Sequence, residues 1–238
     1  MPESISSSKS PAKPPAKSAA KPVAKSGNPR RSTVPQILNA AEKIFSARGF
    51  AGARVDDIAR ACDLPKANVL YYFGTKEDLY QATLERLLTH WLDDADHWLS
   101  PEHEPMAAFE GYIRIKMAFS RRRPEASRIF AYELLSGGTF VKDYLSVTLR
   151  EHVERRVEVF RYWQEQGLMT TGFDPVHFMF LLWSMTQAYA DMQVQLVAVL
   201  GRTGMKEKDF EAGVQTIMKL VASVCLPARQ DVSELCAE

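Results

Sequence analysis

The stretch at 49–76, GFAGARVDDIARACDLPKANVLYYFGTK, decides the fold. Its apolar residues recur at helical spacing in two short bursts. Val55, Ile58 and Ala59 mark a helix over about 55–61. Asp63-Leu64-Pro65 breaks it. A second short helix follows at 66–73, opened by Pro65 at a first-turn position where a missing N–H costs little. Gly74-Thr75 breaks the chain again. Thr75 then caps a longer helix beginning Lys76-Glu77-Asp78-Leu79, whose acids suit the positive end of the helix dipole. Two short helices across a tight turn bury little surface alone and need a third leg. Upstream, Ile37, Leu38, Ala41, Ile44 and Phe45 share one face of a helix that starts near Val34 and stops at Gly49. The expected unit, 32–79, is a compact helix-turn-helix whose last helix can enter a major groove.

Outward from this unit the chain reads as helix upon helix. Leu79, Ala82, Thr83, Leu87 and Trp91 give a helix over 76–98. Helices are expected at 105–121, from Pro124 to the Gly137-Gly138 pair, at 140–167, from Asp174-Pro175 through to Leu200-Gly201, and at 207–225 before Pro227. No convincing alternating strand interrupts them, so the fold class is all-α. The division expected is a three-helix head, a helical body over 80–228 and a C-terminal tail over 229–238.

The net charge of +1 hides an asymmetry. Residues 1–31 carry seven Lys or Arg against Glu3 alone, and the remainder has 23 basic and 28 acidic residues. SPAK, PPAK, SAAK and PVAK repeat along this arm, placing Lys13, Lys17, Lys21 and Lys25 in register, and Pro11, Pro14, Pro15 and Pro22 forbid a continuous helix. So few apolar side chains cannot offset the entropy of ordering, and the arm is expected to be disordered. It is either a phosphate-contacting arm or a solubilising tail. Cys62, Cys225 and Cys236 are widely spaced, giving neither a disulfide framework nor a zinc site. No apolar run approaches a membrane span. His90, His97, His103, His152 and His177 are scattered, and no HExxH, GxSxG, P-loop or GxGxxG pattern is present. The acids around His97 and His103 fit a solvated helix end better than a metal site. No enzyme activity, metal or cofactor is expected, and the expected location is the bacterial cytoplasm, at the nucleoid.

The 66–73 helix has the chemistry of a DNA reader. Asn68 can bond adenine with two hydrogen bonds, and Lys66 can reach guanine or a phosphate. A Tyr72 hydroxyl can fix register on the backbone. The competing reading makes Leu70-Tyr71-Tyr72-Phe73 an aromatic core patch. The segment resembles the DNA-binding domain of the TetR family of bacterial regulators. Ala41, Phe45 and Gly49-Phe50, then Val55-Asp56-Asp57-Ile58-Ala59, and above all Leu70-Tyr71-Tyr72-Phe73 followed by Lys76-Glu77-Asp78-Leu79 carry the likeness. The resemblance implies that Lys66, Ala67 and Asn68 face bases. It also implies that Tyr71 and Tyr72 touch backbone or bases, that Lys76 pairs with a phosphate, and that Arg54 is a further phosphate ligand. Ala53-Arg54 and Pro65 stand where the family often has Ser or Thr, so capping there must come from elsewhere, Asp63 being one source.

The body resembles, within that family, the pyrimidine-sensing repressors of the Rut type. Tyr112-Ile113-Arg114-Ile115-Lys116, the run from Pro124 to Phe130 and the run from Trp183 to Asp191 carry the likeness, and with the head it covers about 34–226. Read from its residues, the 175–200 helix is apolar on nearly every side, yet Thr186, Gln187, Tyr189 and Asp191 interrupt it. Buried polar groups need partners. Either they bond internally, with Asp191 pairing Arg128 or Arg114, or they orient a ligand in a mostly apolar cavity. Gln187 suits an amide-like edge, and Trp91, Trp163 or Trp183 could stack a flat ring. The resemblance favours uracil or thymine. Leu196, Val199, Phe210, Val214, Ile217, Met218 and Val221 are the expected interface of a homodimer, a four-helix seam that lets two heads read a palindrome. The whole is expected to be a repressor of a double-stranded DNA operator, with the 76–92 helix as hinge between head and effector. Two rivals remain: a ligand-independent nucleoid-type binder driven by the arm, and a helical enzyme or carrier.

Overall fold

The computed structural model describes residues 29–225. The C-terminal tail and nearly all of the basic arm lie outside them. The first helix, α1 (Pro29–Gly52), begins ahead of the expected Val34, so the last arm residues belong to it and Pro35 sits inside the helix. Gly49 interrupts α1 with a left-handed φ of 65°, and a short turn carries the chain to Gly52. Then come α2 (Val55–Ala61), α3 (Lys66–Phe73) and α4 (Lys76–Trp98). Thr75 caps α4: its hydroxyl accepts the Asp78 N–H at 3.1 Å, and the Asp78 carboxylate accepts the Thr75 N–H at 3.1 Å.

The body contains α5 (Pro105–Arg122), α6 (Pro124–Leu135), α7 (Lys142–Tyr144), a π-helical turn at Leu145–Leu149, α8 (Arg150–Glu165), α9 (Pro175–Asp191), α10 (Gln193–Val199) and α11 (Glu207–Ala222). The expected 140–167 helix is therefore α7, the wide turn and α8. The expected 175–200 helix is broken at Met192, where neither Pro nor Gly signals a stop. Asp174 caps α9 by accepting the Val176 and His177 N–H groups at 2.8 and 3.1 Å. Past α11, Cys225 forms an isolated antiparallel bridge with Met169, and the last helix ends short of it.

Two apolar cores organise these helices. The first joins Ile37, Ala41, Phe45, Ile58, Val69 and Leu79 of the head to Ile129 and Phe130 of α6 and to Val141. Phe50, Tyr80 and Phe140 meet edge to face or tilted within it, at centroid separations of 4.6 to 5.2 Å. The head is thus seated on α6 as well as on α4. The second core packs Phe109 and Tyr112 of α5, Phe160 and Trp163 of α8, Met179 of α9 and Ile217 of α11. The α4 helix runs through both, with Leu84, Leu88 and Trp91 in the first and Ala95 in the second.

A charged clamp fastens the two parts. Glu42 of α1 is buried at the seam. Its carboxylate accepts from Arg86 of α4 at 2.9 Å and from Arg123, which stands between α5 and α6. Arg86 also donates to the Asn39 side-chain oxygen at 2.9 Å. Burial lowers the Arg86 pKa, and the Glu42 charge offsets only part of that.

Candidate DNA-binding face and effector cavity

The α3 helix has a buried side and an exposed side. Val69 is fully buried, while Leu70 and Phe73 pack against the head core. Lys66, Ala67 and Asn68 are exposed at its start, and Tyr71 projects with 82% of its surface exposed. Tyr72 differs: it is half-buried against the core and meets Tyr71 edge to face at 5.4 Å. Lys66 is held by Asp56 of α2 at 2.9 Å. That pairing lowers the Asp56 pKa, the hydrogen bond from Lys66 being the main cause. Lys76 rests over the Phe50 ring, 4.5 Å from its centroid, and donates to the Ala51 carbonyl. Arg54 is exposed at the start of α2. Neither α2 nor α3 has a side-chain cap; Pro65 occupies the cap position of α3, and Asp63, in the left-handed region at φ 53°, makes no capping bond.

Deeper in the body, α4, α5, α6, α8, α9 and the π-helical turn line a small, partly open pocket with a cavity volume of about 50 Å³. Leu88, Leu92, Ala95, Phe130 and Leu149 supply apolar walls. The polar lining is Trp91, Tyr112, Lys116, His152, Trp183 and Gln187. Lys116 is only 3% exposed. Its ammonium lies over the Trp91 ring, 4.1 Å from the centroid. Burial pushes its pKa down to about 7, against the opposing charges of Asp94 and Asp191. The Trp183 indole N–H donates to the Tyr112 hydroxyl at 3.1 Å. The Trp91 indole nitrogen is buried without a hydrogen-bond partner among the described residues.

Of the residues singled out for a ligand, Trp91, Trp183 and Gln187 converge here. Three do not. Trp163 lies in the second core between Phe109 and Phe160, because its position on α8 faces α5 and α9 rather than the cavity. The Thr186 hydroxyl is spent on the Leu182 and Trp183 carbonyls at 2.8 and 3.1 Å. Tyr189 turns toward α11, where a Cβ on Gly213 would fall 2.4 Å from its ring. Asp191 takes the Ser127 hydroxyl at 2.6 Å rather than Arg128 or Arg114. Those arginines pair with Glu125 and with Glu110 and Glu211. Lys116, Tyr112 and His152 were not singled out as ligand residues, although Tyr112 and Lys116 lie within a matched motif.

The expected interface residues also divide. Phe210, Val214, Ile217 and Val221 are buried in this chain's own second core, and Met218 packs partly against it. The apolar stripe of α11 serves α5 and is already covered. Leu196 is half-buried beside a surface groove, and Val199 is 79% exposed. The outer faces of α9, α10 and α11 instead expose Leu181, Val194, Leu200 and Leu220.

Among the described residues no helix is long and apolar enough to cross a membrane, and no group of three His, Cys, Asp or Glu could hold a metal. Residues 37–83 match the model of bacterial regulatory proteins of the tetR family, and residues 84–228 match that of the C-terminal region of YcdC-like proteins. The HTH-type transcriptional regulator RutR of Escherichia coli K12 is 36% identical over 185 residues, covering 78% of this chain and 86% of that protein. The HTH-type transcriptional repressor SCO4008 of Streptomyces coelicolor is 30% identical over 154 residues, covering 65% of this chain and 76% of that protein. Among solved structures, the transcriptional regulator SCO4942 of the same organism superposes with a TM-score of 0.64 at 25% identity, over 79% of this chain and 97% of that one. The ketosteroid regulator KstR2 of Mycobacterium tuberculosis shares the fold, with a TM-score of 0.62 at 17% identity, over 82% of this chain and 96% of that one. With an exposed recognition helix on a three-helix head, a helical body behind it and family models matching both, the chain belongs to the TetR family: it is a helix-turn-helix transcriptional regulator, not an enzyme.

Proposed function

We propose that the protein is a homodimeric one-component repressor that holds a palindromic operator in the bacterial cytoplasm and releases it when a pyrimidine, uracil or thymine, enters the body cavity. The observation that carries the ligand part is the cavity itself. It offers indole surface from Trp183 and an amide on Gln187, with the Trp91 ring behind Lys116. It also holds a buried ammonium on Lys116. A pyrimidinedione has a flat face and alternating carbonyl and N–H edges, and such convergent polar groups in an apolar shell orient a small ligand. The resemblance to Rut-type repressors points the same way. For the DNA part, Lys66, Ala67 and Asn68 at the start of α3 read bases, Tyr71 and Tyr72 fix register, and Arg54 and Lys76 neutralise phosphates. Leu181, Leu200, Leu220 and Val199 support a second copy packed on α9 to α11. The head then takes 32–79 and the body 80–228, with the arm auxiliary.

A ligand releases DNA only to the extent that it prefers the non-binding conformation. The test selects binding sequences from a random library with the full chain, then follows release by anisotropy while uracil or thymine is added. We expect an enriched palindrome and release by one of the two bases. Enrichment of a single half-site would sink the dimeric reading, and release by neither base would sink the pyrimidine reading. Within the face, Tyr71→Ala is the clean probe. We expect about a 10-fold loss of operator affinity with an unchanged melting temperature. Tyr72→Ala should lower both, because that ring is part of the core.

A further inference from the structure

The α8 wall of the cavity carries a group that neither the fold nor the proposed contacts explain. His152 is 1% exposed, and neither of its ring nitrogens has a hydrogen-bond partner among the described residues. Nδ1 faces Asp96 of α4, with a carboxylate oxygen 3.5 Å away. That oxygen also lies 3.3 Å from Arg156, whose other amine donates to the Leu99 carbonyl at 2.7 Å. Burial pushes the His152 pKa down to about 4, opposed by the charge of Asp96 and aided by those of Arg156 and Arg155, which favours the neutral ring. In a neutral imidazole one nitrogen donates and the other accepts. A carboxylate 3.5 Å from Nδ1 favours the proton on that nitrogen, which leaves the lone pair on Nε2. A buried imidazole without partners destabilises a fold, whereas leucine would fill the same wall without that penalty.

We propose that His152 is the specificity determinant of the effector: its Nε2 accepts a ring N–H, while Lys116 donates to a ring carbonyl, so that the ligand is a neutral cyclic imide or ureide. This rests on the cavity being the effector site, but it reaches beyond pyrimidines. Purinediones and hydantoins carry the same edge. Ligands with a methylated or aromatic acceptor nitrogen at that position are rejected, because they leave Nε2 facing a group that cannot donate. Asp96 and Arg156 act through His152, as positioning residues that set its tautomer.

The experiment is titration calorimetry on the full chain, comparing wild type, His152→Leu and His152→Gln. The panel is uracil, thymine, 1-methyluracil, 3-methyluracil, xanthine and hydantoin. We expect wild type to bind at least one unmethylated member. We expect His152→Leu to lose about 10- to 100-fold in affinity for it and His152→Gln, which keeps an acceptor, to lose less. For uracil, one of the two N-methyl analogues should bind worse than the parent in wild type and equally in His152→Leu. Without ligand, His152→Leu should melt higher than wild type, which separates lost recognition from lost folding. Binding of xanthine or hydantoin but of no pyrimidine, with the same loss in the Leu variant, upholds the role of His152 and overturns the pyrimidine reading. A pyrimidine bound equally by wild type and His152→Leu, with methyl discrimination intact, overturns the role of His152 and leaves the pyrimidine reading standing. No binding by any panel member overturns both.

Discussion

Lys116→Met should melt at a higher temperature than wild type and should lose its response to the effector. The Lys116 ammonium is buried over the Trp91 ring, and among the described residues no carboxylate stands within salt-bridge distance of it. Its pKa falls from an ordinary value near 10.5 to about 7 because burial disfavours the charge. A base with a depressed pKa binds fewer protons in the folded protein than in the unfolded chain throughout that interval. Stability therefore rises with pH from about 7 to about 10.5, and below the interval the full penalty of the buried charge applies. The penalty is on the order of a few kcal/mol. Methionine fills the same volume without a charge, so the variant gains stability at neutral pH and loses this part of the pH slope. Urea unfolding of both proteins at pH 7 and pH 9 checks both points. A carbonyl accepts more strongly from the charged form than from the neutral amine, so effector binding should draw in a proton near neutral pH. Calorimetry in two buffers of different ionisation enthalpy reads that uptake directly. An unliganded Met variant less stable than wild type would show that the ammonium has a stabilising partner.

Glu42→Gln should cost about 2–3 kcal/mol of stability, a drop of roughly 5–10 °C in melting temperature for a chain of this size. Glu42 neutralises Arg86 and Arg123 together at the junction of α1, α4 and α6. The amide keeps the shape and one acceptor but leaves two guanidinium groups facing each other. Losing one partner of a buried pair typically costs more than this. Arg123 is 38% exposed, so solvent screens part of the repulsion and the lower figure applies. A double-mutant cycle with Arg123→Met measures the coupling by urea unfolding. Additive losses would mean that the pair does not act as a unit. Because the clamp ties the DNA-binding head to the helices that wall the cavity, the variant should also blunt ligand-driven release from DNA, read in the same anisotropy assay.

How much of this was legible beforehand follows from the range of each interaction. The head was readable because its signals are local: Gly49, Pro65, Gly74-Thr75 and the spacing between them. The all-α class followed from periodicity over long segments. The break at Met192 left no trace in residue type. Trp163 and Trp183 are the same residue on adjoining helices, and nothing in the sequence says which faces a cavity and which a core. The stripe Phe210, Val214, Ile217 and Val221 was correctly apolar, but a stripe does not name its partner, and α5 of the same chain takes it. Glu42, Arg86 and Arg123 are far apart in sequence and meet only through the seating of α1 on α6, which the expected division into head and body did not contain. His152 looked like any single histidine on a helix.

The π-helical turn at Leu145–Leu149 has a geometric consequence. Val141, ahead of it, and Leu145, its first residue, belong to the core shared with the head, and beyond it Phe160 and Trp163 belong to the core of the body. A helix advances about 100° around its axis per residue, so the angular offset between two seams on one rod is set by the number of residues between them. A wide turn takes in one extra residue and shifts that phase without breaking the rod. It acts as a coupling sleeve, letting α8 present His152 to the cavity while its upstream end keeps its own seat, and removing a single residue from it would pull the two seams out of phase.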